Sequence, residues 1–299
     1  MKIAFIHKPN IKFFNPDFFS PYFYNFFYRA LPRNSRIDYT ILPRKTVDVD
    51  ELNQYDVVML FALHDKLGYI PVPRETKAMV IANAYDSQYI NDAYMANAEQ
   101  CGCKHFFYHH CPKWFYKFAP EQWKYCQVQM VLEPDDYKKI VPFEKRNKRK
   151  VLLTGKMTES EYYFTRRILW KKAKQHVKYV PRHEMFERDK YLFLLNGFRA
   201  SAAACSITTV NKYVESLAAG CLTFAECNDK NGWECMGLRD GANCIAINKS
   251  NCIDKVKEYI ADVDNPKYAD IAAAGRRHAM ENLSNDVMVD RLIDWIEKQ

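Results

Sequence analysis

The sequence predicts an α/β protein built from two parallel-sheet units, and three observations predict it. Short runs rich in β-branched and aromatic residues alternate with segments that suit helices. The runs are apolar at nearly every position, the pattern of strands covered on both faces. The series pauses at a basic, turn-like segment, EKRNKRK (144–150), and then begins again. A chain of 299 residues with 48% hydrophobic content is long enough to bury two such cores.

The elements follow in order. KIAFIH (2–7) opens the first unit, and DYTIL (38–42), DVVMLFAL (56–63), AMVIANA (78–84) and HFFYHH (105–110) are its further strands. Each run is bounded by polar or Pro-containing loops. The segment 13–33 is dense in Phe and Tyr. As a helix it sets Phe18, Tyr22, Phe26 and Arg29 in one stripe. Such a stripe reads either as core packing or as a platform for stacking a ligand, with Arg29, Arg33 and Arg36 also suited to a membrane surface. PDDY (134–137) reads as a loop and helix start. In the second unit, KVLLTG (150–155), VKYV (177–180), YLFLL (191–195), ASAAACSI (200–207), CLTFAE (221–226) and NCIAI (243–247) are predicted strands. Helices are expected around 159–175 and over 251–262, 267–282 and 286–298.

Composition narrows the class. A charged fraction of 27% and an aromatic fraction of 15% suit a folded chain rather than a disordered one. No apolar run reaches the roughly 18 residues of a membrane span. MKIAFIHKPN lacks the pattern of a signal peptide, so a cytoplasmic location is expected, with peripheral membrane contact as a further option. The 10 cysteines are scattered and are expected to be reduced thiols. CGCKHFFYHHC (101–111) has C-x-C rather than C-x2-C spacing, and no metal site is expected there. Residues 1–150 hold 22 Lys and Arg against 16 Asp and Glu, which is +6 of the chain's net +8. That balance suits an anionic partner or serves general solubility.

No G-x-G-x-x-G follows the opening strand, and neither a Walker motif, a G-x-S-x-G nor an H-E-x-x-H is present. Attention falls instead on TTVNKYVESLAAGCLTFAE (208–226). Asn211 or Thr209 suits the N-terminus of a helix, and Gly220 suits its C′ position. Lys212 and Glu215 are three apart and share a face near that N-terminus. In an open α/β sheet this end lies at the carboxyl edge, where ligands bind. A phosphate would meet the Thr208 and Thr209 amides and Lys212, and Glu215 would accept from vicinal hydroxyls. A plain ion pair with a C-cap explains the same spacing.

NKYVESLAAGCLTFAE followed by GLRDGANCIAINKSN (237–251) resembles the donor-site signature of GT-B glycosyltransferases, nearest to the group 1, CgeB-like branch. VLLTGKMTESEYYFTRRIL and YADIAAAGRRHAMENLSNDVMVDRLIDWI extend the resemblance over about 150–299. It implies two Rossmann-like domains facing a cleft: 1–146 on the acceptor side, 147–283 binding a nucleotide-sugar, and a C-terminal helix over 284–299 packing back on the first. Glu215 matches the ribose-binding glutamate, and Lys212 the basic residue three before it. Gly155 and Lys156 match the turn at the donor phosphates, Arg166 the helix arginine, and Thr209 stands at the helix start. Position 207, where retaining members carry an acid, is Ile207, so stereochemistry is not assigned.

The implied reaction moves a sugar from a UDP- or GDP-sugar, as substrate and without a cofactor or metal, to a hydroxyl of a glycan, glycolipid or protein. The departing diphosphate needs fixed positive groups. Asp86, His64 and Asp65 are the candidate bases. Two rivals stand beside this reading. One is a phage-type DNA glycosyltransferase acting on a hydroxylated base, since one such type resembles the donor-site helix. The other is a non-catalytic binding module on a degenerate GT-B fold.

Overall fold

A computed structural model describes residues 1–299 apart from 19, 20, 87, 88, 182, 183 and 185–187, and apart from the side chains of 65, 188 and 189. The chain divides into two units. The first holds Met1–Pro16, Pro21–Met130 and Asn285–Gln299; the second holds Asp17–Ser20 and Val131–Ser284.

The first unit is a six-stranded sheet in the order β2-β1-β3-β4-β5-β6. Its strands are β1 (Lys2–His7), β2 (Asp38–Pro43), β3 (Val57–Leu60), β4 (Met79–Asn83), β5 (His105–Tyr108) and β6 (Lys124–Gln127). Every pairing is parallel. The aromatic segment folds as a continuous helix over 22–33 with a π-helical stretch at Asn25–Ala30. The expected stripe is not kept, since Phe18 precedes the helix and Tyr22 and Arg29 are half-buried; the core face is instead Phe23, Phe26 and Phe27, all fully buried, and Phe27 stacks on Phe5 at 4.2 Å between ring centroids. Pro32 lies just after the π stretch and offers no N–H to the turn before it. The helix Asn285–Ile296 belongs to this unit and buries Met288, Val289, Leu292 and Ile293.

The second unit is a five-stranded parallel sheet in the order β11-β10-β9-β7-β8. These strands are β7 (Asn147–Gly155), β8 (Val177–Pro181), β9 (Phe198–Ala203), β10 (Leu222–Glu226) and β11 (Ile245–Ile247). Val151, Leu153, Leu169, Val177, Phe224 and Tyr259 fill its core. Strand order reverses between β7 and β9, because β8 lies on one side of β7 and β9 on the other. The carboxyl ends of β7 and β9 therefore flank the switch point, the place where open α/β sheets bind ligands.

The predicted parallel α/β architecture is present in both units. One predicted strand is corrected. YLFLL (191–195) lies within the helix Arg188–Gly197. Leu195 is fully buried while Phe193 is 77% exposed, which breaks the two-residue alternation a half-buried strand would show and fits a helical turn. A five-residue apolar run does not distinguish strand from helix by itself. β6 went unpredicted because it is an edge strand carrying Lys124 and Gln127, without an apolar run.

Candidate nucleotide-sugar site

The predicted residues of the second unit collect at its switch point. β7 ends at Gly155, whose φ is +102°. A Cβ there would stand 3.0 Å from Arg166 Nη1 and 3.2 Å from Lys212 Cε, so the backbone lies close against both cations. Only glycine accepts that angle and that approach together. Lys212 Nζ donates to Thr154 Oγ1 at 2.6 Å and stands 4.8 Å from the Tyr191 ring centre. The misassigned run 191–195 thus supplies an aromatic floor to the site.

Arg166 is almost fully buried. Its Nη1 donates to the Lys156 carbonyl at 2.7 Å and its Nη2 to the Ala204 carbonyl at 2.8 Å. These bonds tie the turn after β7 to the loop after β9. Only Nε lacks a partner. Burial pulls its pKa below the usual arginine value. Arg166 therefore acts chiefly on the shape of the Gly155–Lys156 turn, since its guanidinium is almost fully buried.

The helix Lys212–Ala218 carries the central pair. Its end matches the sequence expectation: Gly220 has φ +70°, its N–H donates to Leu217, and the Cys221 N–H donates to Ser216. That pair of bonds is a Schellman motif. Its start differs from the expectation, since Asn211 has helical angles and makes no side-chain cap. The helix has 7 residues, so side chains rather than a long dipole supply most of the local charge. Glu215 is half-buried. Burial raises its pKa, while the Lys212 charge and the Tyr191 hydroxyl pull it back. Thr209 lies on the loop entering the helix, with its hydroxyl buried and partnerless.

Two site residues escaped the sequence. Glu226, at the end of β10, is 2% exposed. One oxygen accepts from Thr165 Oγ1 at 2.6 Å and the other has no partner. Asn231 donates to the carbonyls of Cys205 and Glu226 at 3.1 and 2.6 Å, and locks the ends of β9 and β10 together. The only available signal was the acid that closes the apolar run CLTFAE.

In the first unit, Asp86 follows β4 on a tight turn. Tyr85 has φ +53°, unusual for a bulky residue, and its N–H is held by Asn83 Oδ1 at 2.9 Å. Asp86 Oδ1 lies 3.5 Å from His110 Nε2. His64 Nδ1 accepts from the Lys66 N–H at 3.1 Å, and its ring lies 5.9 Å from that of Tyr89. The Asp65 side chain lies outside the described residues.

No family model matches the chain, and no curated protein matches it. Solved structures do. HepE from Anabaena in complex with UDP-glucose aligns over 100% of both chains at 10% identity with a TM-score of 0.64. Sucrose-phosphate synthase from Thermosynechococcus elongatus aligns over 100% of this chain and 98% of its own, at 8% identity and a TM-score of 0.63. The lipopolysaccharide outer core galactosyltransferase WaaB aligns over 100% and 99%, at 11% identity and 0.57. The fold is that of GT-B glycosyltransferases. Among the described residues, no helix is long and apolar enough to cross a membrane.

Proposed function

We propose that the chain is a glycosyltransferase that moves a sugar from a nucleoside-diphosphate sugar to an acceptor hydroxyl. One observation carries the proposal. Gly155, Arg166 and Lys212 converge at the switch point of the second sheet, with Glu215 one turn beyond Lys212. Whole-chain structural neighbours include one solved with UDP-glucose, which favours a UDP-sugar as the first donor to try. The Lys at 212, three before Glu215, favours the CgeB-like branch.

In this reading Lys212 and Lys156 meet the diphosphate and Glu215 accepts from the ribose hydroxyls. Arg166 holds the turn that lets the backbone approach the phosphates. The sugar C1–O bond to the diphosphate breaks, and the acceptor oxygen forms the new bond and gives up its proton. The negative charge that develops on the leaving group falls beside Lys212, which Thr154 holds in place before the reaction begins. No metal is required for that step. Asp86, His64 and Asp65 remain the candidates for taking the proton, and a glycan, glycolipid or protein supplies the hydroxyl.

The test is thermal stability against UDP, UDP-glucose, GDP and GDP-mannose. A ligand of the folded state adds about 2.7 kcal/mol at 100 times its dissociation constant. One nucleotide series should raise the melting temperature of the native chain and leave Glu215→Ala unmoved. No response to any nucleotide would overturn the proposal.

A further inference from the structure

C-x-C spacing argues against zinc on the cysteines of 101–111, but folding brings a different set together. Asp86, His109 and His110 each offer one ligand atom, and the three atoms lie within 4.8 Å of one another. Consecutive residues of a strand point to opposite faces. β5 stops at Tyr108, and the bend at 109–110 turns both imidazoles toward Asp86, with ring centroids 4.3 Å apart and planes at 64°.

That bend is held from behind. The Tyr125 hydroxyl lies 2.9 and 2.8 Å from the carbonyl oxygens of Tyr108 and His110 and shares its proton between them. The side-chain amides of Gln127 and Gln129 donate to the His109 carbonyl at 3.3 and 2.7 Å. The two histidines are 8% and 4% exposed, yet neither ring nitrogen of His109 has a hydrogen-bond partner among the described residues. The His109 ring therefore has a nitrogen available to a ligand. The Asp86 side chain is 39% exposed and forms the open side.

We propose that Asp86, His109 and His110 form a binding site for a divalent transition-metal ion of the zinc or cobalt type. Two imidazole nitrogens and a carboxylate suit those ions, whereas magnesium and calcium prefer oxygen alone. At bond lengths near 2.0–2.1 Å a tetrahedral ion sets its ligand atoms about 3.3 Å apart. Asp86 and His110 already stand at 3.5 Å, and rotation of the His109 ring brings in the third atom. The remaining position opens on the Asp86 side to water or an oxygen of a bound molecule. An ion there would take Asp86 out of the set of candidate bases and leave His64 and Asp65. The site does not depend on the donor reading.

The experiment uses the full chain, stripped with chelator and titrated with Zn2+ by calorimetry and with Co2+ by visible absorption. One saturable ion per chain is expected, with affinity weakened at least tenfold in Asp86→Asn and in His109→Ala. Asp86→Asn is half-exposed and should keep the native circular dichroism, so it carries the test if His109→Ala fails to fold. Absence of saturable binding overturns the proposal. So does binding that survives both substitutions, or that is lost instead in the Cys101→Ser, Cys103→Ser double variant.

Discussion

Glu226 shows what a single buried acid does to this fold. Burial raises its carboxyl pKa, and the Thr165 hydrogen bond offsets that only in part. A glutamate raised in the folded state binds its proton more tightly there than in the unfolded chain. Stability therefore falls as pH rises from the ordinary value of about 4.3 toward the folded value, and stays lowered above it. Glu226→Gln keeps the oxygen that accepts from Thr165 and removes the charge. We expect the variant to gain stability over the native chain at pH 7.5 and to gain less at pH 4.5. Melting curves at the two pH values decide this. An equal difference at both would mean that Glu226 does not titrate across that range. The residue was invisible as a site in the sequence, because an acid closing a strand normally reaches solvent, and only the fold shows that it does not.

At the scale of elements, the helix Lys212–Ala218 depends on its neighbour Pro266–Asn282. Gly275 of the longer helix lies so close that an added Cβ would stand 2.6 Å from the Asn243 carbonyl oxygen and 2.7 Å from Leu217 Cδ2. The carbonyl belongs to the backbone and cannot turn aside, so Gly275→Ala must move one helix. Overpacking of this kind costs about 1–3 kcal/mol, and each kcal/mol lowers the melting temperature by about 2–4 °C in a unit of this size. Leu217 belongs to the helix that carries Lys212 and Glu215, so the melting response to UDP should shrink as well. An unchanged melting temperature would count against the packing. The same helix shows how far elements could be read from the chain. Gly220 marked its end because a left-handed residue was needed there, and the spacing of Lys212 and Glu215 placed both near its start. Its companions were harder to see. Tyr191 sat in an apolar run that suited a strand, and the reach of Arg166 to two carbonyls depends on loops whose path only packing decides. The bend that turns His109 and His110 together is equally silent, since HFFYHH continues an apolar strand without a break.

Across the whole molecule, the last helix bears on how the first unit folds. Met288, Val289, Leu292, Ile293 and Ile296 are at most 3% exposed, although they come more than 150 residues after the last strand of their sheet. Each is worth about 1.5–3 kcal/mol when buried, and on the order of 10 kcal/mol together. That equals much of the roughly 5–15 kcal/mol that stabilises a typical domain. The charges around the helix look equally important but are not. Arg36 pairs with Asp294 and Glu297 at 2.7 Å, and Arg33 with Asp286 at the same distance, yet these groups are 38–54% exposed. Exposed pairs contribute about 0–1 kcal/mol each. Truncation at residue 284 should therefore leave the first unit without a stable tertiary structure, seen as loss of its near-ultraviolet circular dichroism. Arg36→Ala should move the melting temperature by only a few degrees. If the truncated chain kept its spectrum while Arg36→Ala lost it, charge rather than apolar burial would be holding the helix in place.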